Sequence, residues 1–413
     1  MTSARQTRRL AGVIAVVAVL ALAATLLAAC GSSSSGGSSG GGTKQIVIGV
    51  DASMSGALAG FGVIEQWAIQ TAVKDANAKG AVTVDGGKAK FKVVLLDDKS
   101  DANVAASNVD TLVTKDKAAV IIGPITPTVG NAAALAAERR GVPYLESGNP
   151  LEPFRAVKKD WKWAYDFFFA GADASNAAFA VFDDLGIKTN KQVALCTDNS
   201  PDGPVFLAGW QASAKQYGWK IVLTDTHPAN STEFGSLIQK LKSCGADYVI
   251  VLGDTPTLVA MRKQMDAAGY TPKALYMARG SQLEQFATAL GSLSDGIMLE
   301  SYWPPDVPYP GANQLAAQYE KETGQTFGQM LGLEYTAAQI VMDAIKKVGT
   351  TTAAKVQQAI GQTNGTFVGG PVAFTAPNHT SVTPIIWSQW QSQHLKMIWP
   401  KKVANAQMIY PMP

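Results

Sequence analysis

From residue 45 onward the chain alternates between two hydrophobic rhythms. Short apolar, β-rich runs stand at Ile46–Val50, Phe91–Leu96 and Ala118–Ile122. Between them the apolar positions recur at helical spacing. In Val63–Lys79 the residues Val63, Ile64, Trp67, Ala68, Ala72, Val73 and Ala76 share one face. A second helix is predicted after Ser100-Asp101, which can cap its N-terminus, with Val104, Ala105, Val109 and Leu112 facing inward. Asp85-Gly86-Gly87-Lys88 reads as a hairpin turn into the second long strand.

The rhythm restarts near residue 173. A helix is predicted over Ala174–Leu185, followed by strand Gln192–Cys196, helix Pro204–Tyr217 and strand Trp219–Thr224. Helix Phe234–Lys242, strand Asp247–Leu252, helix Pro256–Ala268 and strand Ala274–Met277 continue the series. A last strand near Gly296–Glu300 runs into the proline-rich Tyr302–Pro310, where regular structure is forbidden and a crossing between halves is expected. Helices near Gln314–Glu320, Leu333–Val348 and Ala353–Ile360 follow, then a short apolar C-terminus with Trp387, Trp390 and Trp399. Strand–helix alternation of this kind predicts α/β architecture with parallel, doubly wound sheets. Two such units with a helical return between them imply two lobes around a cleft.

The first 29 residues belong to a different class of sequence. Arg5, Arg8 and Arg9 precede an apolar run from Leu10 to Ala29, long enough to span a bilayer. It is either an anchor helix or a cleaved secretory signal. Leu27-Ala28-Ala29-Cys30 closes it and resembles the lipobox of bacterial lipoproteins, which implies cleavage before Cys30 and lipidation of its thiol. Residues 31–42 are glycine and serine only, a flexible tether with a reach of roughly 20 Å. The expected organisation is a signal peptide over 1–29 and a lipidated cysteine with its tether over 30–43. The protein is then exported and held on the outer face of the cell membrane.

Charge changes the picture once the signal is set aside. The whole chain carries 35 basic and 32 acidic residues, a formal charge of +3. Residues 1–29 contain three arginines and no acid, so the remainder holds 32 of each and is neutral. A nucleic-acid partner is excluded, because such domains keep a basic face. Cys196 ends one predicted strand and Cys244 precedes another, placing them at opposite ends of a parallel sheet, so two free thiols are expected rather than a disulfide. The three histidines are scattered and no metal spacing occurs. No Walker A pattern, nucleophile elbow or His-Glu-x-x-His is present. Gly60-Phe61-Gly62 lacks the third glycine of a dinucleotide fingerprint and reads as a tight strand-to-helix turn. The adjacent acids Asp97-Asp98 read as a strand end and helix cap rather than as catalytic carboxylates. Neither a cofactor nor catalysis is expected.

What remains is a set of small polar loops after strands: Ser53–Gly56, Gly123–Thr128 and Glu146–Asn149. At such positions backbone N–H groups lie beside a helix N-terminus and suit a carboxylate. With these loops, Ile48-Gly49, Phe61-Gly62, Leu96-Asp97-Asp98, Ile121–Pro124, Gly141-Val142-Pro143 and Ala267–Tyr270 follow one another in order and spacing. Together they resemble the type I periplasmic binding proteins, in the branch that binds branched-chain amino acids, over nearly all of residues 45–400.

That resemblance implies two lobes joined by three crossings near residues 171, 303 and 384. The N-terminal lobe would take 44–171 with 303–384, and the C-terminal lobe 172–302 with 385–413. It implies a monomer that closes on an amino acid or a related carboxylate solute and delivers it to the permease subunits of an ABC importer. It also implies binding positions. Phe61 would cover the ligand. Thr126, Pro127 and Thr128 would hold its carboxylate, with Ser147, Gly148 and Asn149 as the second carboxylate loop. Asp202 and Asp254 stand where the family carries tyrosines. Arg279 stands where amino-acid binders carry the acid that grips the α-ammonium. Arg279 therefore either meets a ligand acceptor or points to solvent, while Asp254 or Asp202 either replaces the missing acid or pairs with Arg279. A sensing receptor of the same fold is the alternative function, and a secreted hydrolase a remote one.

Overall fold

The computed structural model describes residues 43–200, 203–325, 328–375 and 378–413. The signal segment, Cys30, the Gly/Ser tether and Asp202 lie outside the described residues. The strands are β1 (Lys44–Ala52), β2 (Val82–Val84), β3 (Gly87–Asp97), β4 (Val120–Ile122), β5 (Tyr144–Glu146), β6 (Ala164–Phe168), β7 (Gln192–Asp198) and β8 (Lys220–His227). They continue as β9 (Tyr248–Gly253), β10 (Ala274–Arg279), β11 (Ile297–Ser301), β12 (Asn364–Phe367), β13 (Gly370–Ala373), β14 (Thr380–Val382), β15 (Ile386–Gln391) and β16 (His394–Trp399).

Two seven-stranded sheets result, in the orders β14-β6-β5-β4-β1-β3-β2 and β16-β15-β11-β10-β9-β7-β8. Each is parallel except at its margins, where β2 runs against β3, and β15 and β16 form an antiparallel hairpin against β11. The chain changes sheet between β6 and β7, between β11 and β14, and between β14 and β15. The three passages are tied together. The rings of Phe169 and Tyr302 stack 5.0 Å apart, and Thr383 N donates to the Phe168 carbonyl at 2.7 Å.

Local chemistry explains the elements. Val84 pairs with Gly87 across Asp85 and Gly86, both at positive φ, so the Asp-Gly pair makes the two-residue turn its sequence favours. Asp101 caps the Ala102–Thr114 helix by accepting from Asn103 N and Val104 N at 2.8 and 3.0 Å, and Ala105, Val109 and Leu112 are fully buried. Gly62 is obligatory for space, since a Cβ there would lie 2.1 Å from the Ser53 carbonyl oxygen. Cys196 and Cys244 are free thiols.

The structure also contains elements that periodicity does not announce. β5 and β6 are buried strands of three and five residues that carry Glu146 and Asp166, and β14 has three. Runs so short offer no window for an alternation, and a buried acid disguises them further. The tryptophan-rich C-terminus becomes the β15–β16 hairpin, with Trp387 and Trp390 buried. No helix among the described residues is long and apolar enough to cross a membrane. Replacing Asp101 by alanine removes two hydrogen bonds from a helix start and is expected to lower stability by about 1 kcal/mol, read as a reduced urea midpoint with an unchanged slope.

Candidate functional site

Because the sheets are parallel, the C-terminal ends of all the central strands in a lobe open onto one edge. In the first lobe Ser53–Gly56 follows β1 and is clasped by the next strand's end. Ser53 Oγ donates to Asp98 at 2.7 Å, and Met54 N, Ser55 N and Ser55 Oγ donate to Asp97 at 3.0, 3.2 and 2.6 Å. The two acids are thus a structural clasp.

The loop after β4 leads into the Pro127–Arg140 helix. Its N-cap, Thr126, is at φ +90°, and its hydroxyl is buried without a hydrogen-bond partner. Pro127 at the first helical position has no N–H, and Thr128 is exposed in the first turn, where backbone N–H groups have no intrahelical acceptor. The loop after β5 lies against this one, since Thr126 N donates to the Gly148 carbonyl at 3.2 Å. Gly148 sits at φ +108°, and a Cβ there would lie 2.8 Å from Met330 Cε. Its neighbours turn inward. Ser147 Oγ donates to Glu334 Oε1 at 2.6 Å, and Asn149 Nδ2 donates to Glu146 Oε1 at 2.7 Å and Asn131 Oδ1 at 2.9 Å. Both side chains are fully buried, and Asn149 Oδ1 has no partner. Phe61 is half-buried against the core of its lobe.

In the second lobe β10, β9 and β7 are neighbours, so their ends bring Arg279, Asp254 and Asp198 together. Arg279 Nε donates to Asp254 Oδ1 at 2.9 Å, Nη1 to Ser200 Oγ at 3.3 Å, and Nη2 to Asp198 Oδ2. Arg279 holds φ +66°, a conformation that costs a non-glycine residue of order 1 kcal/mol and is offset here by its charged partners. The Asp198 side chain is wholly buried, while that of Asp254 is 55% exposed. Sequence reasoning missed Asp198. The signal was the polar run Thr197–Ser200 at the end of a predicted strand, the same placement as the polar loops of the first half.

Below the first-lobe loops lies a group of buried acids. Burial lifts the Glu146 carboxyl to about 7, against hydrogen bonds from Tyr144 and Asn149. Burial, with the neighbouring Glu146, lifts Glu334 to about 8 against the Ser147 hydrogen bond. Asp51, Glu65 and Asp166 are raised well above the ordinary carboxylate range by burial first and by neighbouring acids second. No group of three His, Cys, Asp or Glu among the described residues has the geometry to hold a metal ion. A hollow of about 110 Å³ lies between the lobes, lined by Gly60, Val63 and Ile64 on one side and Gln282–Gln285 on the other. A larger one of about 420 Å³, beside Val82, Thr83 and Phe91, opens at the far end of the first lobe, away from the strand C-termini, and shares no residue with the site.

Residues 45–394 match the pattern of the family described as periplasmic binding protein. The Leu/Ile/Val-binding protein homolog 7 of Brucella abortus is 26% identical over 390 residues, covering 89% of this chain and 95% of that protein. The branched-chain amino acid transporter substrate binding protein LivJ of Streptococcus pneumoniae, solved in complex with isoleucine, superposes with a TM-score of 0.75 at 24% identity. That match covers 89% of this chain and all of LivJ. The leucine binding protein LivK of Thermotoga maritima gives 0.73 at 19% identity, over 85% of this chain and 97% of LivK.

The buried glutamates carry a pH signature. Between about 4.3, where an unfolded glutamate ionises, and the raised values of Glu146 and Glu334, the folded chain holds protons that the unfolded chain has released. Stability therefore falls as pH rises through that window, by up to about 1.4 kcal/mol per pH unit per group. The urea midpoint is expected to be higher at pH 5 than at pH 8; a midpoint that climbs over that interval contradicts this assignment.

Proposed function

The chain belongs to the periplasmic binding protein family, and from that premise we propose that it is an exported, lipid-anchored receptor that captures an α-amino acid between its lobes and delivers it to an ABC importer. The observation that carries this reading is the opposed character of the two strand-end clusters. In the first lobe the Pro127–Arg140 helix offers its N-terminus beside an unpartnered Thr126 hydroxyl. A carboxylate satisfies both. In the second lobe Arg279 is held, among the described residues, by the carboxylates of Asp198 and Asp254, which leaves these three groups with a net negative charge and Asp254 exposed. An ammonium is the complementary group. A zwitterion spans the two only when the lobes close, so ligand favours the closed form.

On this reading Arg279 acts through Asp254 rather than on the ligand, and Asp254 takes the part that an acid at position 279 plays in amino-acid binders. The Leu/Ile/Val naming of the relatives supports an aliphatic side chain on the ligand. No step requires catalysis, a cofactor or a second subunit. The basic start, apolar run and Leu27–Cys30 motif support export and lipidation, with the Gly/Ser segment as the leash.

Calorimetric titration of the mature protein with each of the twenty standard L-amino acids tests the reading. At least one is expected to bind with a micromolar or lower Kd; heat from none of them overturns it. Asp254→Asn is expected to weaken that amino acid more than tenfold while leaving its des-amino carboxylic acid within threefold. Equal losses for both would remove Asp254 as the ammonium partner. For the anchor, Cys30→Ala is expected to abolish incorporation of radiolabelled palmitate and leave the signal segment uncleaved, read as a higher apparent mass; labelling equal to that of the native protein overturns Cys30 as the lipid site.

A further inference from the structure

The Ser147–Asn149 loop is held from behind by carboxyl groups that the binding reading does not use. Glu334 reaches Ser147 from the first turn of the Leu331–Val348 helix, 187 residues away in sequence. Its Oε1 accepts the Ser147 hydroxyl at 2.6 Å, and its Oε2 is buried with no hydrogen-bond partner. An ionised carboxylate with one bare oxygen in a dry interior is costly, whereas the neutral acid is not.

The surroundings favour the neutral acid. Glu65, from the Ala59–Ala78 helix, is buried with both oxygens unpartnered and feels the charge of Glu334. β1 contributes Asp51, whose Oδ1 accepts from Asn108 at 2.7 Å, and the loop after β3 contributes Asp98. β5 contributes Glu146, which is bonded to Tyr144 Oη at 2.5 Å and to Asn149, and β6 contributes Asp166. The cation of this set is Arg155, from the Leu151–Val157 helix. It acts on Asp166 and donates to Thr380 Oγ1 at 2.8 Å. Among the described residues neither Glu65 nor Glu334 has an ion-pair partner.

We infer that Glu334 is a positioning residue of the ligand loop, a carboxyl behind Ser147 that makes the hold on a ligand carboxylate depend on one proton. The inference rests on the amino-acid reading of the cleft. Protonated, Glu334 holds the buried Ser147 hydroxyl, and with it the loop, without placing a charge beneath it. Ionised, it sets a negative charge directly beneath the loop, which repels a ligand carboxylate on the other side. No bond is made or broken, and the exchange involves only the carboxyl proton. Affinity therefore falls as pH rises through the Glu334 midpoint, which burial places above the ordinary glutamate range.

The test has one arm with ligand and one without. With L-leucine, L-isoleucine and L-valine as probes, the Kd of the native protein at pH 8.5 is expected to exceed that at pH 6.0 at least fivefold. In Glu334→Gln, whose amide donates but does not ionise, the ratio is expected to fall below twofold. A flat native profile, or the same ratio in native and Glu334→Gln proteins, overturns the inference. In the ligand-free arm, ¹³C-carboxyl NMR of the native protein, assigned by the resonance missing from Glu334→Gln, is expected to give a Glu334 midpoint above pH 6. A midpoint below 5 overturns the inference whether or not a probe binds. Absence of binding at every pH with a raised midpoint would instead strike the amino-acid reading and leave the proton on Glu334 in place.

Discussion

A parallel strand has to be returned to its starting edge before the next one can begin, and this constraint organises the molecule. Each return takes a helix or loop across the sheet, so every strand of a lobe delivers its C-terminal loop to the same edge. The polar loops after β1, β4 and β5 therefore meet although up to about a hundred residues separate them, and Arg279 finds Asp254 and Asp198 by the same rule. Each sheet then gives way to antiparallel pairing at one margin, where β2 and the β15–β16 hairpin need no crossover. Three passages between the sheets, packed together through Phe168, Phe169, Tyr302 and Thr383, join the halves.

Electrostatics divides the lobes in opposite ways. The second lobe holds Arg279, among the described residues, with Asp198 and Asp254, the first of them beyond the reach of solvent. The first lobe gathers Asp51, Glu65, Glu146, Asp166 and Glu334 in its interior with Arg155 among them, and burial raises these carboxyls above the usual range. Two of these carboxyls, Glu334 and Glu146, accept the hydrogen bonds that hold the side chains of Ser147 and Asn149.

The longer elements were legible because their signals are local and repeated. The helix after Asp101 has a cap and an inner face within twelve positions, of which Ala105, Val109 and Leu112 are buried and Val104 only half-buried, and the Asp85-Gly86 turn carries its own backbone preference. β5, β6 and β14 were not legible, since three to five residues hold no period and two of these strands place an acid where a core residue is expected. At the site, the loops could be located as polar runs after strands, but not the direction of their side chains. Ser147 and Asn149 are small and polar, which suits a ligand and a buried glutamate equally.

By itself the sequence determined the alternation of strands and helices, the two-lobed α/β architecture and the neutral charge of the part beyond the arginine-bearing first 29 residues. These follow from composition and from periods of two and 3.6 residues, which near neighbours enforce. Tertiary structure alone decided that Arg279 is held by Asp198 and Asp254, that Asp97 and Asp98 are a clasp, and that Glu334 stands behind Ser147. A charge's role depends on which distant group meets it and on how much water remains, and both are settled only when strands far apart in the chain end at one edge.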